Sequence, residues 1–180
     1  SYTGRNIPFT KADRKKTILI PWFADFLSPF FPAIGELAGY KLVNLPRSDK
    51  QSAETGLKYG HNEVCYPSTL VLGDIIKGLQ SGNYDLDQVA VAITQTGGQC
   101  RATNYIAQIK SGLENAGYSG IPVIAVTTGK VYQNDQRGFK HPVWKLLSIV
   151  INTLLYGYNR HQMFTATTLR QTKKGEVKQL

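Results

Sequence analysis

Four short runs of mostly β-branched apolar residues, at 17–20, 41–45, 89–94 and 121–126, alternate with longer stretches whose apolar positions recur every three or four residues. Short apolar runs bounded by glycine and proline indicate strands buried on both faces, whereas the three-to-four spacing indicates helices with one apolar face. Phe23, Phe26, Leu27, Phe30, Phe31, Ile34 and Leu37 make the first helical face, with Ser28-Pro29 as a cap and first-turn proline and Gly39 as its stop. A weaker helix is expected over 48–59 with Ser48 or Asp49 as cap, and a stronger one over 67–82 opened by Pro67. Ala102, Tyr105, Ile106, Ile109 and Leu113 define a fourth helix that stops at Ala116-Gly117. Residues 141–160 form a long helix that is apolar around most of its circumference.

Repeated strand-helix alternation requires crossovers, and those build parallel sheets covered on both faces. The expected fold is a three-layer α/β domain with a mainly parallel four-stranded sheet and a long C-terminal helix. Its 180 residues suit one domain, here 17–160, flanked by a basic arm at 1–16 and a basic tail at 161–180. The chain starts without an initiator methionine or a signal-peptide core, and it reads as a piece of something longer.

Charge changes this picture little. The formal net charge is +9, but 1–16 and 159–180 each carry five Lys/Arg against one acid, while the residues between carry eleven against ten. A near-neutral body with basic ends gives no nucleic-acid surface, and the aromatic residues are not interleaved with basic ones. Residues 143–155 come nearest to a membrane span, but Lys145, Ser148, Asn152 and Thr153 interrupt them. The expectation is a cytoplasmic protein with no membrane and no nucleic-acid partner.

The candidate chemistry lies in two cysteines. Cys65 precedes the Pro67 helix, and Cys100 lies between the 89–94 strand and the fourth helix. A helix amino terminus stabilises a thiolate, and ligands of parallel sheets bind at the carboxyl ends of strands. If both helices start at one edge, the two sulfurs converge on one crevice. Joint ligands would hold their Cα atoms within roughly 6 to 10 Å, with Gly97 and Gly98 at the wall and Glu63 and Asn104 near the rim. The thiolates then point to a metal or iron–sulfur site; two inert cysteines and a redox pair are the other readings, the last without a CxxC. Asp25, His61, His141 and His161 offer no paired constellation. No GxGxxG and no GxxxxGK[ST] is present, so nucleotide binding has no motif behind it.

Residues 7–14, 18–26, 73–77 and above all Asn-Glu-Val-Cys-Tyr-Pro at 62–67 and Ala-Ile-Thr-Gln-Thr-Gly-Gly-Gln-Cys-Arg-Ala-Thr-Asn-Tyr at 92–105 resemble the acyl-CoA dehydratase activase-related proteins, or CoA-substrate-specific enzyme activases. The likeness spans nearly the whole chain. It falls on a C-terminal region of those proteins related to 2-hydroxyacyl-CoA dehydratase subunits, whose Rossmann-like lobes hold a 4Fe-4S cluster through cysteines. The resemblance implies that Cys65 and Cys100 are cluster ligands, that the chain is an electron-transfer module from an anaerobe, and that its partner is a dehydratase subunit or the remainder of its parent chain. The family's ATPase module has no counterpart here, and Gln99 and Trp22 stand where relatives carry glycine and histidine. A non-catalytic Rossmann-like interaction domain, docking through the long apolar helix, is the alternative.

Overall fold

The computed structural model describes residues 7–61, 63–95, 104–127, 136–140 and 143–170, with side chains of the last segment from residue 147 onward. Strands β1 (Thr17–Ile20), β2 (Lys41–Asn44), β3 (Val89–Thr94) and β4 (Val123–Val126) form one sheet in the order β2-β1-β3-β4, and every pairing is parallel. The helices are α1 (Phe31–Ala38), α2 (Lys50–Tyr59), α3 (Tyr66–Gln80), α4 (Tyr105–Asn115) and α5 (Val143–Arg170). This is the expected three-layer α/β fold with a long C-terminal helix.

The central strand explains the layers. Val89, Val91 and Ile93 of β3 pack with Leu72, Ile75, Ile76 and Leu79 of α3 and Ile106, Ile109 and Leu113 of α4. Ala90 and Ala92, on the other face, meet Phe9, Ile18, Tyr40 and Ile124, with Ala38 of α1 and Phe139 beside them. The chain moves one way from β1 to β2 and the other way from β2 through β3 to β4. With crossovers of one hand, that reversal sends the connecting helices to opposite faces.

Particular residues set the element ends. Gly39 adopts φ +81° just after α1, a left-handed conformation that costs glycine nothing. Asp49 caps α2 through a reciprocal capping box with Ser52. β4 begins at Val123 rather than at residue 121, although the Pro122 carbonyl still accepts from Val91 N–H at 2.9 Å. α2 rides on α3: a Cβ at Gly56 would lie 2.0 Å from the Thr69 carbonyl oxygen, so the absence of side chains lets the two backbones approach.

Other details differ from the sequence reading: α1 starts only at Phe31, so Phe23, Phe26 and Leu27 lie in the loop before it. Ser28 does not cap α1; its hydroxyl accepts from the Phe23 and Ala24 N–H groups at 2.8 and 3.0 Å and closes the loop after β1. The stretch before β1 is anchored by Phe9, which is 1% exposed, and Arg14 Nε donates to the Gly138 carbonyl at 2.8 Å. α5 runs ten residues past the expected end at 160, to Arg170, and within that extension the hydroxyls of Thr167 and Thr168 donate back to the carbonyls of Met163 and Phe164.

Candidate functional site at the start of the third and fourth helices

The strand order places the carboxyl ends of β1 and β3 side by side, with the chain leaving them toward opposite faces. That is the switch point at which open α/β sheets bind ligands. α4 is entered from the carboxyl end of β3, and Tyr105 is its first residue.

Cys65 is the residue immediately before α3. Its carbonyl accepts from the Ser68 and Thr69 N–H groups at 2.9 and 3.3 Å, while its side chain makes no capping bond. The sulfur lies instead 3.1 Å from the Tyr105 hydroxyl, forty residues along the chain. One turn further along both helices, the Ser68 hydroxyl donates to the Gln108 amide oxygen, at the same offset of forty. Another turn on, Leu72 packs against Gly112, where a Cβ would lie 2.5 Å from its methyl carbons. Contacts that advance together along both helices mean that α3 and α4 start side by side. The half-buried sulfur therefore rests on the opening residue of the helix that follows the central strand.

The other expected site residues divide. Glu63 and Asn104 are exposed; Asn104 precedes α4 without making a side-chain cap bond. Gly97, Gly98 and Cys100 lie outside the described residues, as does His141. Asp25 is engaged by its neighbours: Trp22 Nε1 donates to its carboxylate at 2.9 Å, and Arg47 pairs with the same oxygen at 2.8 Å while stacking over the Trp22 ring. His61 is exposed, and His161 of α5 stacks on Phe26 with ring centroids 5.6 Å apart. Among the described residues no group of three or more His, Cys, Asp or Glu side chains gathers to hold a metal ion.

Further along α3, away from Cys65, charged side chains tie the helix to α2 and to the segment before it. Lys77 of α3 reaches Asp49 at 2.8 Å, and that hydrogen bond, with further ones from the Ser52 N–H and hydroxyl, holds the Asp49 carboxyl at about 2 against an ordinary 3.8. Asp74, also on α3, is fully buried and accepts from the Ser48 hydroxyl at 2.5 Å.

Sequence reasoning missed Tyr105 as a site residue and counted it as an apolar position on α4. Its signal was positional: it opens the helix after the central strand, as Cys65 immediately precedes α3. No family model, curated protein or solved structure matches this chain. No helix among the described residues is long and apolar enough to cross a membrane.

Proposed function

We propose that this chain is an iron–sulfur cluster-binding, electron-transfer module of the 2-hydroxyacyl-CoA dehydratase and activase type, with Cys65 and Cys100 as ligands and Gly97, Gly98, Glu63 and Asn104 around them. The observation that carries the reading is the Cys65 sulfur 3.1 Å from Tyr105, five residues after Cys100 in the chain. The cysteine motifs at 62–67 and 92–105, whose resemblance to cluster-bearing lobes prompted the reading, therefore lead into two helices that begin together.

Cys65 offers one donor of the kind a 4Fe-4S cluster takes: a soft sulfur, half-buried, at the amino end of a 15-residue helix whose dipole favours negative charge. A bound cluster supplies one-electron storage. The chain holds the sulfur in place through the Cys65 carbonyl, locked by the first turn of α3, and through Tyr105 beside it. With two cysteines in the whole sequence, the remaining donors come from a dehydratase subunit or the rest of the parent chain.

Anaerobic reconstitution with iron and sulfide tests this. Visible charge-transfer absorption with matching iron and acid-labile sulfide is expected from the wild type and from neither Cys65→Ser nor Cys100→Ser, with circular dichroism unchanged in both variants. Equal iron uptake by the serine variants contradicts the assignment. The interaction-domain reading is favoured by one observation, that Leu147, Ile151, Leu154 and Leu155 of α5 stand exposed.

A further inference from the structure

We propose that α5 is the two-fold interface of a homodimer, in which two copies of the helix pack antiparallel through Leu147, Ile151, Leu154 and Tyr158; this stands independently of the cluster reading. One side of α5 holds its own body. Gly157 is buried, and a Cβ there would lie 2.3 Å from the Phe26 carbonyl oxygen, so the helix backbone rests directly on the loop after β1. Ile149, Val150 and Thr153 on the same side are half-buried. The Tyr156 ring meets Phe30 edge-on at 6.0 Å, and Arg160 donates to the Asp25 carbonyl at 3.1 Å.

A second apolar face lies about a third of a turn round the helix. Leu147, Ile151, Leu154, Leu155 and Tyr158 stand 42 to 57% exposed on it. The Tyr158 hydroxyl accepts from the Gln162 amide at 2.7 Å, so its polar tip is satisfied within α5 and the ring is left as contact surface.

Spacing, charge and area select a second copy as the occupant of this face. Positions 147, 151, 154 and 158 are separated by four, three and four residues, the seam of a coiled coil, and that order reads the same in both directions. Reversed against itself, the helix sets Leu147 opposite Tyr158 and Ile151 opposite Leu154, each pair made twice, as an isologous interface requires. The antiparallel sense also opposes the two helix dipoles. No charged residue stands between Lys145 and Arg160, so the face offers an anionic membrane or an acidic partner nothing to pair with, while it matches an equally neutral copy of itself. At about 150 to 250 Å² for a whole large side chain, the exposed halves of the five residues present roughly 450 Å² of apolar surface per copy. A standard interface of about 800 Å² per partner is a little over half non-polar, which is the same amount.

Analytical ultracentrifugation of the full chain, with circular dichroism of each variant, tests this. The wild type is expected to pass from monomer to dimer as its concentration rises, with no larger species. Ile151→Lys and Leu154→Glu alone are each expected to weaken the dimer by roughly tenfold or more, since each sets a lone charge against an apolar partner. The double variant Ile151→Lys/Leu154→Glu is expected to dimerise again, because in the antiparallel pair each introduced lysine faces an introduced glutamate of the other copy. A parallel pair sets like charges together and a non-specific sticky patch has no register, so a double variant that stays monomeric overturns the antiparallel interface. A wild type that stays monomeric throughout, or that forms open-ended aggregates, overturns it as well. A monomeric wild type that co-sediments with phosphatidylcholine–phosphatidylserine vesicles, and loses them on Leu154→Glu, gives the face to a membrane instead. A single variant that fails to fold also counts against the proposal, because the stripe would then be core of the monomer.

Discussion

Replacing Gly73 by alanine adds one methyl group to α3 at its closest approach to α2. The new Cβ would sit 1.7 Å from the Ser52 carbonyl oxygen, 2.6 Å from its carbon and 3.0 Å from the Gly56 nitrogen. All three are main-chain atoms of α2, so no side chain can rotate out of the way. Ordinary close carbon–oxygen contacts lie at about 3.3 to 3.6 Å, so the helices must part by roughly 1.5 Å. Alanine in a helix interior gains about 1 kcal/mol over glycine, which alone would make the variant more stable. Overpacking costs about 1 to 3 kcal/mol, and parting the helices also strains the Lys77 hydrogen bond to Ser52, with a net worth of about 1 kcal/mol. The cost wins by about 1 to 3 kcal/mol. Urea denaturation should show a lower midpoint with an unchanged slope. Gly78→Ala makes a stringent comparison, since its Cβ would meet only the tip of the Leu45 side chain, at 2.5 Å, and that tip can turn away. It should cost much less. A Gly73→Ala protein as stable as the wild type would refute the close-packed α2–α3 account.

Other consequences are equally direct. The depressed Asp49 carboxyl contributes stability that is complete above about pH 4 and lost as the pH falls toward about 2, so Lys77→Met should flatten that acid limb; an unchanged limb contradicts the pairing. Gln136 closes the outer edge of β4 by accepting from the Ala125 N–H and donating to its carbonyl, each at 2.8 Å. Gln136→Ala leaves both groups buried and unpaired, at a cost of about 1 to 3 kcal/mol each, and should lower the melting temperature clearly; an unshifted melting curve refutes this role. The exposed Leu147, Ile151, Leu154 and Leu155 should drive self-association at high concentration, read by light scattering and reversed by Ile151→Glu with Leu154→Glu. A clean wild-type monomer would speak against a sticky α5.

Much of the fold was legible because its signals are periodic or local. The β3 run is apolar at every position from Val89 to Ile93, and both faces are indeed covered. Gly39 and Gly117 marked helix ends and both adopt positive φ. Asp49 was one of two caps considered and is the one that closes the capping box. What escaped depends on single residues or on tertiary distance. Phe9 anchors the segment before β1, and one anchor has no period to detect. Ser28 reads as a cap because serine suits a cap and proline a first turn, but the Phe23 and Ala24 N–H groups of the loop after β1 take its hydroxyl instead. The contact between Cys65 and Tyr105 spans forty residues and exists because α3 and α4 start together, which spacing alone does not reveal.

The central claim is that Cys65 and Cys100 open onto one crevice. A short bifunctional thiol reagent, matched to the roughly 6 to 10 Å span expected of joint ligands, applied to the native reduced protein and followed by peptide mass spectrometry, tests it without any cluster. The account predicts an intramolecular bridge between the Cys65 and Cys100 peptides, formed at native but not at denaturing conditions. Separate modification of the two thiols, with no bridged peptide from folded protein, would contradict it.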